Sequence, residues 1–191
     1  MGTLLLQEAP AANTLPVSLA EAKLHLRVDA ADEDTLITSL INAATQEAEH
    51  VMQRAIMPQK WRYIAAAFED AVPLRRPLVT AVESVQYVDT AGATQTLAAP
   101  AWRLVEAGLH HELRPAVGGS WPAVRYQEDA VRVTFVAGWA DAAAVPELIK
   151  AWIKLRLGAL YEHRGAWSSG QPIHANEHIN FLLDRWRVFT L

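Results

Sequence analysis

The stretch Asp34–Ile56, DTLITSLINAATQEAEHVMQRAI, carries the longest unbroken helical periodicity in the chain. Leu36, Ile37, Leu40, Ile41, Ala44, Ala48, Val51, Met52 and Ala55 recur at spacings of three and four, which stacks them along one helix face. Ser39, Asn42, Gln46, Glu49 and Gln53 fall opposite. The acidic cluster Asp32, Glu33, Asp34 marks the start, because carboxylates complement the positive end of the helix dipole, and Pro58 bars continuation. Such a helix spans roughly 35 Å and serves as a spine for the other elements.

Upstream, Thr14–Val28 (TLPVSLAEAKLHLRV) predicts a short helix opened by Ser18, with Glu21 three residues on. This is a capping box, in which the Ser18 hydroxyl accepts from the Glu21 amide and the Glu21 carboxylate reaches back. Val17 is placed to staple on Ala22, and the pattern turns extended near Leu26 and Val28. Downstream of Pro58 the period changes from helical to alternating. Strands are expected at Trp61–Ala66, Val82–Asp89, Thr94–Leu97, Trp102–Glu106, Glu112–Arg114 and Ala130–Ala137, with Asp89-Thr90-Ala91-Gly92 as a hairpin turn. Helix returns at Pro146, a residue suited to a first turn, and runs to about Arg164.

That last helix is apolar over more than half its surface, with Leu148, Ile149, Trp152, Ile153, Leu155, Leu157, Leu160 and Tyr161. It therefore needs partners on two sides, the spine on one and the β module or a neighbouring subunit on the other. A linker, GAWSSGQP, then leads to Asn176–Phe189 (NEHINFLLDRWRVF), which reads as a short amphipathic helix on a tether. Too short to hold alone, it must dock either on its own chain or on a partner. The expected organisation is an N-terminal arm at 1–14, a helical core at 15–58 and 139–164, a β-rich insertion at 59–138 and a C-terminal segment at 165–191. The fold class is α+β.

Composition excludes several functions. The 191 residues are half apolar and one fifth charged, as in an ordinary soluble protein. There is no cysteine, so disulfides, thiolate metal sites and thiol nucleophiles are ruled out. MGTLLLQEAP lacks the basic region of a signal peptide, and no window has the length of a membrane span. With 17 basic against 21 acidic residues the chain has no broad phosphate-gripping footprint.

No catalytic constellation emerges. His174-Ala-Asn-Glu177-His178 matches the spacing of inverted zinc proteases. Yet Pro172 precedes it and Asn176 reads as a helix cap, so His174 falls outside the helix on which both imidazoles would have to sit. His110-His111 beside Glu112 reads as surface histidines, and Ser168-Ser169 with His163 and Glu162 lacks a nucleophile elbow. Gly118-Gly119 has no phosphate-cradling pattern. Arg75-Arg76 and Arg185 with Arg187 are small basic pairs of the kind found on solvated faces or in ion pairs. Neither catalytic residues nor a cofactor is expected.

The ordered set of LPVSLAEAKLHLRVD, the spine, LRRPLVTAVESVQYVDTAGATQTL, GSWPA and AVRVTFVAGWADAAAVPELIKAWIKLRLGALYEHR resembles tailed-phage head–tail connector proteins, the head-completion adaptors of long-tailed phages and gene transfer agents. The resemblance covers about Leu15 to Arg164 and rests on the order of its pieces, including L-x-E-A-K-x-H-L and A-G-W-x-D before the last core helix. It implies a structural virion protein at the head–tail junction, assembled in the host cytoplasm as a dodecameric ring beneath the portal. DNA would pass through the ring, and a downstream neck or stopper protein would follow. Inter-subunit packing would fall to Leu36, Leu40, Glu47, Val51, Trp152, Arg156 and Tyr161. Portal binding would fall to the C-terminal Ile179, Phe181, Leu182, Arg185, Trp186, Arg187 and Phe189. The competing reading is a soluble ligand- or protein-binding module, which would show a concave pocket and a stable monomer.

Overall fold

The computed structural model describes residues 2–11, 14–108, 110–163 and 177–188. It divides into two compact units, one of Met1–Ala12 with Met57–Ala140, the other of Asn13–Ile56 with Asp141–Leu191.

The first unit is built of β-strands with one 3-10 turn at Ala99–Ala101. Strands β1 (Thr3–Glu8), β2 (Gln59–Ala65), β8 (Val131–Ala137), β4 (Val79–Val88) and β5 (Thr94–Thr96) form a five-stranded sheet in that spatial order, every neighbouring pair antiparallel. A second sheet orders β3 (Val72–Leu74), β7 (His110–Pro115) and β6 (Trp102–Ala107). The alternation of VRVTFVAGW predicts one buried face for β8, and Val131, Val133, Phe135 and Ala137 are buried. Thr134, on the other face, is also buried.

The expected hairpin forms between β4 and β5. The Asp89 N–H donates to the Ala93 carbonyl at 2.9 Å, the Asp89 carboxylate accepts from the Ala91 and Ala93 amides, and Gly92 takes a φ of 91°, which a side chain would oppose. Gln95 Nε2 also donates to that carboxylate, and these bonds hold the Asp89 carboxyl below its ordinary range.

Two strands lie outside the sequence expectation. Residues expected as an N-terminal arm include β1, paired with β2 from Thr3↔Ile64 to Leu6↔Trp61. Val72–Leu74, centred on Pro73, is β3 at the edge of its sheet, where a missing N–H is tolerated.

The second unit is helical. Helix α1 (Leu19–Leu26) opens with the expected capping box: Ser18 Oγ accepts from the Glu21 amide at 3.2 Å and the Glu21 carboxylate accepts from the Ser18 amide at 2.8 Å. These bonds, first the side-chain one, hold the Glu21 carboxyl below its usual range. The helix continues through Leu26 rather than turning extended, and Arg27 ends it in the left-handed conformation at φ 58°.

The spine is α2 (Asp34–Met52), four residues shorter than its periodicity suggests. Gln53 takes φ 54°, and the Gln53 and Arg54 amides turn back to the His50 and Glu49 carbonyls. The chain after it stays apolar and buried at Ala55 and Ile56, whose amide donates to Glu49 Oε1 at 2.7 Å. The pattern continued past the helix because these residues fold beneath its end.

Helix α3 (Glu147–Glu162) begins after Pro146 as expected. In place of a single C-terminal α-helix, Glu177–Leu182 and Asp184–Trp186 form 3-10 turns. So short a segment gains little from helix propagation and takes its shape from what it docks on.

Candidate assembly surfaces

In the helical unit the apolar stripe of α2 splits in two. Ile37, Ile41, Ala44, Ala48 and Met52 are fully buried, whereas Leu36 is 37% exposed and Leu40 and Val51 are half-buried beside them. The first row is core. The second, with Glu47 on the same flank, faces outward.

Glu47 and Arg156 meet each other: Arg156 Nε donates to Glu47 Oε2 at 2.6 Å, tying α3 to α2. Both remain about a third or more exposed, so the pair adds little stability and leaves charge at the surface. The Tyr161 hydroxyl donates to the Glu33 carboxylate just before α2, and Lys23 Nζ reaches Asp34 at 2.5 Å and the Ala30 carbonyl at 2.9 Å. Trp152 is a correction. It is 1% exposed, and its indole N–H donates to Asn180 Oδ1 at 3.2 Å, so it packs inside its own unit instead of presenting a surface.

The C-terminal segment docks on that unit at several points. Leu183 is fully buried. Arg54 Nε donates to the Trp186 carbonyl at 3.2 Å, and the Val188 amide donates at 3.0 Å to Met52, the last residue of α2, satisfying a carbonyl the helix leaves open. Burial holds the Arg54 pKa below its ordinary value, though a guanidinium stays charged throughout the working range.

Among the expected portal-binding residues, Phe181 is 70% exposed and Arg185 is exposed, while Ile179, Leu182, Trp186 and Arg187 are half-buried. Arg187 pairs with Asp184 at 3.4 Å. Phe189 lies outside the described residues. Sequence pattern missed the anchors: Leu183, Asn180 and Arg54 hold the segment while Phe181 projects from it. An open cleft of about 390 Å³ beside it is lined by His50, Val51, Gln53, Asn180, Arg187 and Val188.

The β unit presents a different surface. Glu112 accepts from Arg114 at 2.8 Å and lies 3.3 Å from His110, and chiefly the Arg114 bond lowers its pKa. Arg76 stacks over Trp61 at 4.7 Å, and Trp121 stacks on Phe68 at 4.5 Å while donating to the Glu69 carbonyl. Among the described residues no group of His, Asp and Glu side chains is arranged to hold a metal. His174, Ser168 and Ser169, together with the side chains of Glu177 and His178, lie outside the described part. No helix among the described residues is long and apolar enough to cross a membrane.

A family model described as phage gp6-like head-tail connector protein matches residues 16–88, which carry α1, α2 and strands β2, β3 and β4. No curated protein matches the chain by sequence. Among solved structures, the chain is similar to a subunit from the neck of an empty gene transfer agent particle computed with C6 symmetry, with TM-score 0.79, 27% identity and coverage of 99% of this chain and 97% of that one. Similar too is a chain in the virion of the native gene transfer agent particle, with TM-score 0.77, 27% identity and the same coverage. A chain from the neck of the native particle computed with C12 symmetry gives TM-score 0.77 and 25% identity, again over 99% and 97%. Residues 16–88 thus carry the gp6-like head–tail connector pattern, and the likeness in fold to gene transfer agent neck and virion chains extends over nearly the whole chain.

Proposed function

We infer that this connector works as one subunit of a ring seated beneath the portal, a dodecamer through which double-stranded DNA passes to the next neck component. The observation that carries this is the match over nearly the whole chain to subunits of particle necks computed with C6 and C12 symmetry. A ring fits the surfaces described. Cyclic assembly requires two unlike patches on each copy, and the outward row Leu36, Leu40, Glu47 and Val51 supplies one of them, with Arg156 and Tyr161 at its border. The exposed Phe181 and Arg185 are the aromatic and arginine anchors that interfaces favour, and in this reading they make the portal contact.

The role is structural. A chain with more acidic than basic residues suits a conduit, because a lumen that gripped phosphate would retard the passing DNA. Assembly takes place in the host cytoplasm, and the mature location is the head–tail junction of the particle. The test is imaging of the portal protein of the same particle alone and after mixing with this chain. An added tier of twelvefold symmetry is expected. A portal unchanged by excess protein would overturn the assignment.

A further inference from the structure

Among the described residues, the outer edge of β1 lacks the usual protection against pairing with another chain. Natural edge strands are blunted by charges, prolines or bulges, because their outward amides and carbonyls otherwise template another strand. Here Thr3–Leu6 carries no charge and no proline, and Leu5 and Leu6 are 43% and 48% exposed. The register places Leu4 and Leu6 on the face of Tyr63 and Trp61, and Leu5 on that of Arg62, so the edge is apolar on both faces. Protection begins only afterwards, with the bulge between Leu6 and Glu8 and the Glu8–Lys60 ion pair at 3.0 Å.

The opposite edge of the same sheet is similar. β5, Thr94–Thr96, is uncharged, exposed at all three residues and, among the described residues, paired only with β4. A single sheet thus ends in two unlike, unprotected edges.

We propose that these edges are two halves of one inter-subunit contact, in which β1 of one copy adds to β5 of the next. The proposal rests on the ring reading and names a surface that closes the ring. Its occupant is a second copy because the two edges differ: a β1-to-β5 contact is heterologous and repeats around a ring, whereas β1 on β1 would stop at two. Four successive antiparallel pairings separate the edges, so β1 and β5 run in the same direction. The added pair is therefore parallel, and the length of β5 limits it to a few residues. The exposed leucines supply the apolar contact that so short a ladder needs.

The absence of native cysteine makes the test direct. Leu5→Cys and Gln95→Cys single variants are mixed, assembled with the portal protein and treated with a short bis-maleimide, which tolerates a register offset. A cross-linked pair containing one of each variant is expected, with neither variant cross-linking to itself. A ring that forms without the mixed cross-link, or Leu5→Cys joining to itself, overturns the edge pairing and leaves the ring standing. If wild-type protein forms no ring, both readings fall. A second variant guards against loss of fold: Leu5→Glu sits opposite Arg62, which can pair with it in the monomer. It is expected to keep the wild-type melting temperature while assembling roughly tenfold more weakly. Unchanged assembly by folded Leu5→Glu would overturn the proposal.

Discussion

Arg54 Nε donates to the carbonyl of Trp186 at 3.2 Å, joining the turn that ends the spine helix to a segment 132 positions away. Because Arg54 is only 7% exposed, it cannot exchange that acceptor for water at little cost. Arg54→Met is expected to lower stability by about 1.5–3 kcal/mol, the range for hydrogen bonds to charged groups, and to speed hydrogen exchange at the Val188 amide. Unchanged protection at Val188 would show that the segment is held without Arg54.

Leu183 and Phe181 stand two residues apart with opposite environments, one fully buried and the other 70% exposed. Leu183→Ala is expected to cost about 2–5 kcal/mol by opening a cavity. Phe181→Ser should stay within about 0.5 kcal/mol of wild type yet bind the portal protein more weakly. Thermal unfolding and a pull-down on the portal separate the two effects, and full portal binding by Phe181→Ser would remove that residue from the interface.

Gly138 follows β8 at φ 122°, and a Cβ there would run into the Met57 carbonyl, with Pro58 N at 3.0 Å. Both the backbone conformation and the space exclude a side chain. Gly138→Ala should therefore be at the severe end of single substitutions, roughly 4 kcal/mol or more, read as a large fall in melting temperature or loss of soluble protein. A near-native melting temperature would mean that the β2–β8 end gives way easily.

Burial, with the Glu69 carboxylate 3.3 Å from its hydroxyl, pushes the Tyr63 phenol up to about 12. The folded state thus keeps a proton that the unfolded chain releases near 10. The resulting stabilisation is full below about pH 10 and is lost as pH rises toward about 12. Tyr63→Phe should flatten the alkaline limb of a stability-against-pH curve while leaving its slope near pH 7 unchanged. An identical limb in the variant would place the titration elsewhere.

The outward row on α2 offers a further separation of fold from assembly. Leu36 is 37% exposed, so Leu36→Asp should change monomer stability by no more than about 0.5 kcal/mol. Ring formation, followed by sedimentation, should weaken. Equal sedimentation of variant and wild type would move the contact off this row.

Local chemistry was legible where one segment carried the whole signal. The Ser18–Glu21 capping box, Pro146 before α3 and the Asp89–Gly92 turn each contain their own reason for forming. Helix ends were less readable, because Arg27 and Gln53 adopt left-handed conformations without the glycine that advertises them. β1 was hidden because TLLLQE has no alternation and owes its form to β2, more than fifty residues away. On α2, periodicity marked one broad stripe but could not divide buried Ile37 from exposed Leu36, since that depends on how closely α1 and α3 approach. The same limit applied to Trp152, an interface aromatic by type that Asn180 and the C-terminal segment cover.

A ring of this chain on the portal, held there through the C-terminal segment, has a definite mass. Light scattering on the purified complex tests it most directly, comparing wild type with a Phe181→Ser, Arg185→Ser double variant whose buried Leu183 anchor is intact. Wild type is expected to add twelve chain masses to the portal, and the double variant markedly fewer at the same concentration. A wild-type complex no heavier than the portal alone would contradict it.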